Sequence, residues 1–445
     1  MKIHPNNILL ALIAFFATWG EGMQKLMPRA SLIFPLLVAV YMVFNYNNLI
    51  KAMHRGRIVP REFKYLFVFV IVHSIIYIAL NYQSIGFGLT TGAENEEGFA
   101  YGKAANGVVI IRYFMFLLFC LYLTVALGEE KKLKLFSKYY VIGFMGTILL
   151  GGASHGYANA LVRFSGGLQD PNSMAFDAII ALLFSLYLFN RYQDKGLRTL
   201  LVVSFTVEAA AILLSFSRGA ILSLIVWGIL YLFHKGLLRS FWKVAGSGAV
   251  LALVIFAVVK TMNIDMSLVE TRFSVEEMRE SKGANRGLIW EAYLSNWDKY
   301  FVTGMGIYNP PKIMFGNIQG VAENYESHNL YIQWFAEYGI IGLMLYLLYW
   351  RGFLRQFRRI RGDKWYLMSM GGVFLVVTFF LNIDKGRTFW IVLAVLNMVW
   401  MGNQRQSKIG SNNESIQPAS QIRSRLASVY IICLLSGFCT EQLLI

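Results

Sequence analysis

The chain is predicted to be an all-α, polytopic integral membrane protein of about twelve transmembrane helices, with one large outer loop between the ninth and tenth. Three observations carry that prediction. Of 445 residues, 56% are Ala, Val, Ile, Leu, Met, Phe, Trp, Tyr or Cys and only 15% are charged, against roughly a quarter charged in a soluble protein. Mean hydropathy is +0.51, so too little charge is present to cover a water-facing surface. The apolar residues are also grouped in runs of about 20, the length that crosses a bilayer core. Finally, the connections between these runs alternate in charge. A soluble enzyme, a disordered protein and a disulfide scaffold are thereby excluded.

The spans follow in order. Residues 8–24 begin the series; the stretch from Ile8 to Trp19 has the look of a signal-peptide core, but no small-residue cleavage site follows and many spans do. Residues 31–49 and 65–81 come next, separated by a segment with Lys51, Arg55, Arg57, Arg61 and Lys64. The loop 82–106 holds Glu94, Glu96 and Glu97 against Lys103 and leads to the span 107–127. A basic loop (128–138), the span 139–155, the span 173–190 and a second basic loop (191–198) follow. The spans 198–215 and 219–234 are joined by a very tight turn. Basic residues at 235–243 precede the span 244–260, and after the large loop come the spans 329–350, 366–382 and 388–402. Between the first two of these lie Arg351, Arg355, Arg358, Arg359, Arg361 and Lys364. Every even-numbered connection is basic, which puts both termini in the cytoplasm by the positive-inside rule. The net charge of +16 belongs to these loops rather than to a nucleic-acid surface.

The outer loop runs from about Thr261 to His328. Its stretch from Ser274 to Tyr300 interleaves charges with Leu288, Ile289, Trp290, Tyr293, Leu294 and Trp297, an amphipathic helical pattern suited to a small cap on the outer face. The organisation expected is a transmembrane domain over residues 1–402 and a polar cytoplasmic tail over 403–445. No pair of Gly/Pro-interrupted spans of the transporter kind stands out. Cys120 lies in an apolar run and Cys433 and Cys439 near the C-terminus, without metal-ligand spacing. No metal and no cofactor is expected.

Ionisable residues within spans are costly and each suggests function: Arg112, Asp177 and Glu208. Interhelical pairing that fixes packing is the competing reading for each. On the outer side, Ser217-Arg218-Gly219 opens a span where unpaired backbone N–H groups and the positive dipole end gather. A guanidinium there serves as a diphosphate clamp or as a snorkelling anchor. Arg163 and the turn Asp170-Pro171-Asn172 line the preceding outer loop. Arg272 and Arg286 lie among acidic neighbours, either as substrate ligands or as a solvated ion-pair face. His328, in Glu326-Ser327-His328-Asn329, is the only histidine of the outer loop and suits general-base work on a hydroxyl, unless it is a satisfied polar residue at a helix start. Asp384, in Ile383-Asp384-Lys385-Gly386-Arg387, adds a carboxylate that orients such a histidine or pairs with Lys385 or Arg387.

The order of motifs then resembles a known family. Ser217-Arg218-Gly219 is followed by Arg286-Gly287 with Trp290, then Gly304-Met305-Gly306, His328-Asn329-Leu330-Tyr331 and Glu337-Tyr338-Gly339-Ile340-Ile341-Gly342. This resembles the O-antigen ligase and Wzy-type polysaccharide polymerase superfamily of bacterial inner membranes, over roughly residues 163–384. The resemblance implies about twelve spans, a large periplasmic loop and a multi-pass place in the inner membrane with the active site on its outer face. It also implies metal-independent, inverting transfer of an undecaprenyl-diphosphate-linked oligosaccharide, with a chain-length regulator and a flippase as further partners. By position, Arg218 and Arg286 match the family's essential arginines and His328 its essential histidine; Asp384 resembles the acidic residue of the last periplasmic loop. Polymerisation of a surface polysaccharide is the leading activity. Ligation of the glycan to lipid A-core or a protein is the alternative, and a flippase without chemistry the rival from another class.

Overall fold

A computed structural model describes residues 4–19, 30–80, 107–151, 163–166, 170–236, 286–307, 327–360, 362–384 and 386–414, with isolated positions between 241 and 274. Among the described residues there are twelve α-helices and no strand. They are α1 (Pro5–Phe16), α2 (Ala30–His54), α3 (Arg61–Leu80), α4 (Gly107–Leu127), α5 (Glu130–Gly151), α6 (Pro171–Arg191), α7 (Lys195–Leu214), α8 (Arg218–Lys235), α9 (Arg286–Ser295), α10 (Leu330–Phe357), α11 (Lys364–Val377) and α12 (Arg387–Glu414). Eight of them, α2 to α8 and α10, are long and apolar enough to cross a membrane, and α1 and α11 are shorter apolar helices. This is the helix set of a polytopic integral membrane protein. Two compact units divide the chain, residues 1–399 and 400–445; the described part of the second is helical to Glu414.

Burial sorts the helices into core and lipid-facing. Along α6, Met174 to Phe184 are buried on every side, and this helix packs against α5, α7, α8 and α11. A helix apolar all round belongs at the centre of a bundle. The first turns of α12 behave alike, with Phe389 to Val395 buried. By contrast, Val43 and Phe44 of α2, Val68 and Ile75 of α3 and Ile225 of α8 expose large apolar side chains, as lipid contact requires.

The two ends of the bundle differ in chemistry. At one, Arg191 pairs with Asp363 and lies 3.4 Å from Glu130, which also holds Lys134 at 3.1 Å. His234 stacks on Trp365 there, ring centroids 4.3 Å apart. The basic connections α4–α5, α6–α7 and α10–α11 therefore gather together. The first residues of α6, α8, α10 and α12 lie at the opposite end.

Three features depart from the sequence expectation. The basic stretch 128–138 is helix almost throughout, because Leu133, Phe136, Ser137 and Tyr140 bury one face at helical spacing and carry α5 down from its apolar run. Helix α11 has 14 residues, about 21 Å, short of the roughly 30 Å hydrocarbon core. The largest departure is in α10, which is broken at Gly339 (φ 65°, ψ −169°). Residues 301–306 dock into the break: Met305 N donates to Ala336 O (2.8 Å), Gly306 N to Glu337 O (2.9 Å) and Ile340 N to Phe301 O (2.7 Å). Irregular backbone in a membrane protein persists only where its polar groups are satisfied, and here the outer-loop segment satisfies them. The loop 82–106, all but isolated positions of the expected span 244–260, the polar tail beyond 414 and most of the outer loop, Arg272 and Glu326 included, lie outside the described residues.

Candidate functional site

Two turns at the end opposite the basic loops carry the candidate residues. Each holds a residue in the left-handed backbone region, Phe216 and His328, both at φ 48°, and among the described residues they are the non-glycine positions with positive φ. Such conformations are uncommon for side chains of this bulk and collect at functional sites.

The first turn joins α7 to α8. Helix α7 ends at Leu214, and Ser217 caps α8 by accepting from Ala220 N at 3.4 Å. Arg218, half-buried, is the first residue of the helix. Gly219 lies against Phe380; a Cβ there would sit 3.0 Å from its ring. Arg163 braces this turn from below. It is 6% exposed, its Nε donates to Ser215 O at 2.8 Å and its Nη2 to Asn172 Oδ1 at 3.1 Å. Asp170 in turn caps α6, accepting from Asn172 and Ser173 backbone N–H groups at 3.1 and 3.0 Å. Two of Arg163's donors are thus engaged in holding protein, which suits support of the turn.

The second turn leads into α10. Asn329 caps the helix, accepting from Tyr331 N and Ile332 N at 3.0 and 3.2 Å. Ser327 Oγ donates to Asn329 O at 2.7 Å, and Ser327 O accepts from Trp290 Nε1 of α9 at 2.7 Å. With both neighbours pinned, the strained His328 has a defined direction. Arg286 opens α9, and its guanidinium carbon lies 5.9 Å from the Phe380 ring centroid. Phe380 therefore touches both arginine-bearing helix starts.

Burial pulls the His328 imidazole below its ordinary pKa, the Arg286 charge pulls it further, and Asp170 opposes both. An imidazole so placed stays neutral, able to accept a proton, to lower pH than a free one. Arg286, His328 and the Asp170 turn are thus brought together. Asp384 is placed differently. It is fully buried and accepts from Trp334 Nε1 at 3.1 Å, while the carboxylate whose charge reaches His328 is that of Asp170.

The intramembrane carboxylates sit in packing contacts. Asp177 accepts from Thr388 Oγ1 at 2.6 Å, and Glu208 accepts from Ser185 and Ser204 at 2.9 Å each. Arg112 is half-buried on α4. Sequence reasoning singled out neither Phe380 nor Gln333, which accepts from Ser327 N at 3.3 Å. Only their contacts mark them, since an aromatic at a span end and a glutamine within a helix carry no motif.

Residues 200–347 match the family model described as O-antigen ligase (Wzy_C). That segment contains Arg218, Arg286 and His328, whereas Arg163 and Asp384 lie outside it. No curated protein matches the chain. This match, over about a third of the chain, supports the O-antigen ligase/Wzy superfamily, whose members are membrane enzymes of O-antigen processing in surface-polysaccharide synthesis.

Proposed function

We propose that the protein polymerises a bacterial surface polysaccharide by inverting, metal-independent transfer of an undecaprenyl-diphosphate-linked glycan onto a sugar hydroxyl. The observation that carries this reading is a strained, half-buried, neutral-leaning His328 within reach of the Arg286 charge, on a surface that also includes Arg218. His328 takes the proton of the acceptor hydroxyl, and its oxygen attacks the anomeric carbon from the face opposite the diphosphate. The bond from that carbon to the diphosphate oxygen breaks. Undecaprenyl diphosphate leaves with the electron pair, its charge met by Arg218 and Arg286, and the proton remains on the imidazole. Arg163 supports the Arg218 turn, and Asp384 holds the α11–α12 connection through Trp334.

The basic end of the bundle faces the cytoplasm by the positive-inside rule, with both termini and the tail beyond residue 402. The site then opens on the outer face of the inner membrane, where the lipid-linked donor is presented. Ligation to lipid A-core or a protein is the second reading, favoured by the description of the matched family. A gel of surface and lipid-linked glycans after gene deletion tests both. Single repeat units where a ladder belongs identify a polymerase; full-length chains stranded on the carrier identify a ligase. An unchanged glycan profile sinks both.

Arg218→Ala is expected to raise the donor KM and lower kcat, by roughly 10²-fold in kcat/KM, as loss of one preorganised charge on a leaving group does. Arg218→Lys should recover only part, since an ammonium lacks the bidentate fork. Unaltered donor affinity in Arg218→Ala would remove the clamp assignment.

A further inference from the structure

Three of the segments that carry candidate residues, those of Arg286, His328 and Asp384, are joined by one buried amide. Gln333, on α10, is 1% exposed. Its Oε1 accepts from Ser327 N at 3.3 Å, from the Tyr293 hydroxyl at 3.3 Å and from Asn382 Nδ2 at 3.2 Å; its Nε2 donates to Glu337 Oε1 at 2.7 Å. Ser327 immediately precedes His328. Tyr293 lies on α9, two turns beyond Arg286. Asn382 stands between Phe380, against which Arg286 and Gly219 pack, and Asp384.

Ile289 and Tyr293 of α9, Tyr300 and Met305 of the segment after it and Ala336 of α10 form one apolar cluster, with Ile332 and Phe335 packed against it. Such contacts bring helices together without fixing their register, because burial of apolar area has no direction. Hydrogen bonds do have direction. The convergence of three donors on one oxygen therefore locks what packing leaves adjustable. Tyr300 strengthens the same corner by donating its hydroxyl to Tyr293 O at 2.5 Å.

We propose that Gln333 is a positioning residue of the transfer site: its amide sets the Arg286 helix, the His328 turn and the Asn382 connection in one fixed register. This rests on the glycan-transfer reading. Gln333 touches no reacting atom; it acts through Ser327 on the strained His328 and through Tyr293 on Arg286.

The near-isosteric change Gln333→Glu gives a readout that mere packing would not move. It replaces the Nε2 donor with an oxygen facing Glu337. Two carboxyl groups at that separation must share a proton. While the proton is present, its O–H donates to Glu337 and the other oxygen still accepts the three donors. Once it is lost, like charges are in contact and the side chain is driven from the node.

The test uses the full-length protein in nanodiscs, with lipid-linked glycan extracted from cells lacking the gene as donor. Relative to wild type, Gln333→Glu should transfer normally at the acid end and fall about 100-fold towards alkaline pH, the loss a displacement of about 1 Å produces, with donor KM little changed. Gln333→Leu should lose a similar factor in kcat at every pH. A Gln333→Glu profile that superimposes on wild type overturns the proposal, as does equal impairment at every pH. Retention of kcat by folded Gln333→Leu overturns it too, and if that chain does not fold the Gln333→Glu profile decides alone. His328→Ala measured alongside separates the two claims. Full transfer by His328→Ala removes the glycan-transfer reading; inactive His328→Ala beside normal Gln333 variants removes only the positioning role.

Discussion

Replacing His328 by alanine is expected to lower glycan transfer about 10³-fold while the protein remains folded in the membrane. A positioned general base contributes roughly 10²–10⁴-fold, and the proposed mechanism gives His328 that part. Its left-handed backbone (φ 48°) is a strained conformation, and alanine at the same place meets much the same strain, so stability should change little. The pH dependence gives an independent check. Burial and the Arg286 charge lower the His328 pKa, so the neutral form on which the proposed mechanism relies survives to lower pH. The acid limb of kcat/KM should accordingly fall below the ordinary histidine value of about 6.5. Asp170 raises that pKa, the weakest of the three causes; Asp170→Asn, which keeps a capping side chain, should move the limb further towards acid. A limb at or above the ordinary value, or undiminished transfer by His328→Ala, would contradict the assignment.

Gly339→Ala is expected to abolish transfer by a different route, through the fold. The backbone at Gly339 (φ 65°, ψ −169°) is open essentially to glycine alone, and a Cβ there would lie 2.3 Å from Val302 O and 2.8 Å from Gly304 N. Both obstacles are backbone, so neither can swing aside. Residues 301–306 must move off α10, and with them go the bonds from Met305 N, Gly306 N and Ile340 N, each about 0.5–1.5 kcal/mol, beyond a strain of about 1–3 kcal/mol. Helix α9 then loses its support, and the Arg286 and Trp290 contacts go with it. Gly304→Ala should behave alike, since its Cβ would lie 2.3 Å from Glu337 O. Gly362→Ala is the control: its φ is +69° but nothing stands within 4 Å, so it bears strain without collision. Thermal denaturation in detergent, read beside the glycan ladder, should show a lowered midpoint and no ladder for Gly339→Ala and a small shift with a normal ladder for Gly362→Ala. Equal effects at the two positions would refute the docking argument.

Much of this protein is determined by its sequence alone. Apolar runs of spanning length can satisfy their backbone only as helices, so composition and run length dictate an all-helical membrane protein before any tertiary contact is known. The order of Ser217-Arg218-Gly219, Arg286 and His328-Asn329 likewise marks the candidate residues, because the chemistry of guanidinium and imidazole is local to the side chain. The tertiary structure decides what they face. No run of residues announces that the α10 span is broken at Gly339, since a single glycine within an apolar run is unremarkable until another segment's backbone docks against it. Nor does spacing tell that Asp170, 158 residues before His328 in the chain, is the carboxylate that reaches it, while Asp384 bonds to Trp334. The physical reason is the same in each case. Helix formation is governed by neighbours in sequence, whereas electrostatic coupling and hydrogen-bond register depend on distances of a few ångströms, which only the packing of distant segments sets.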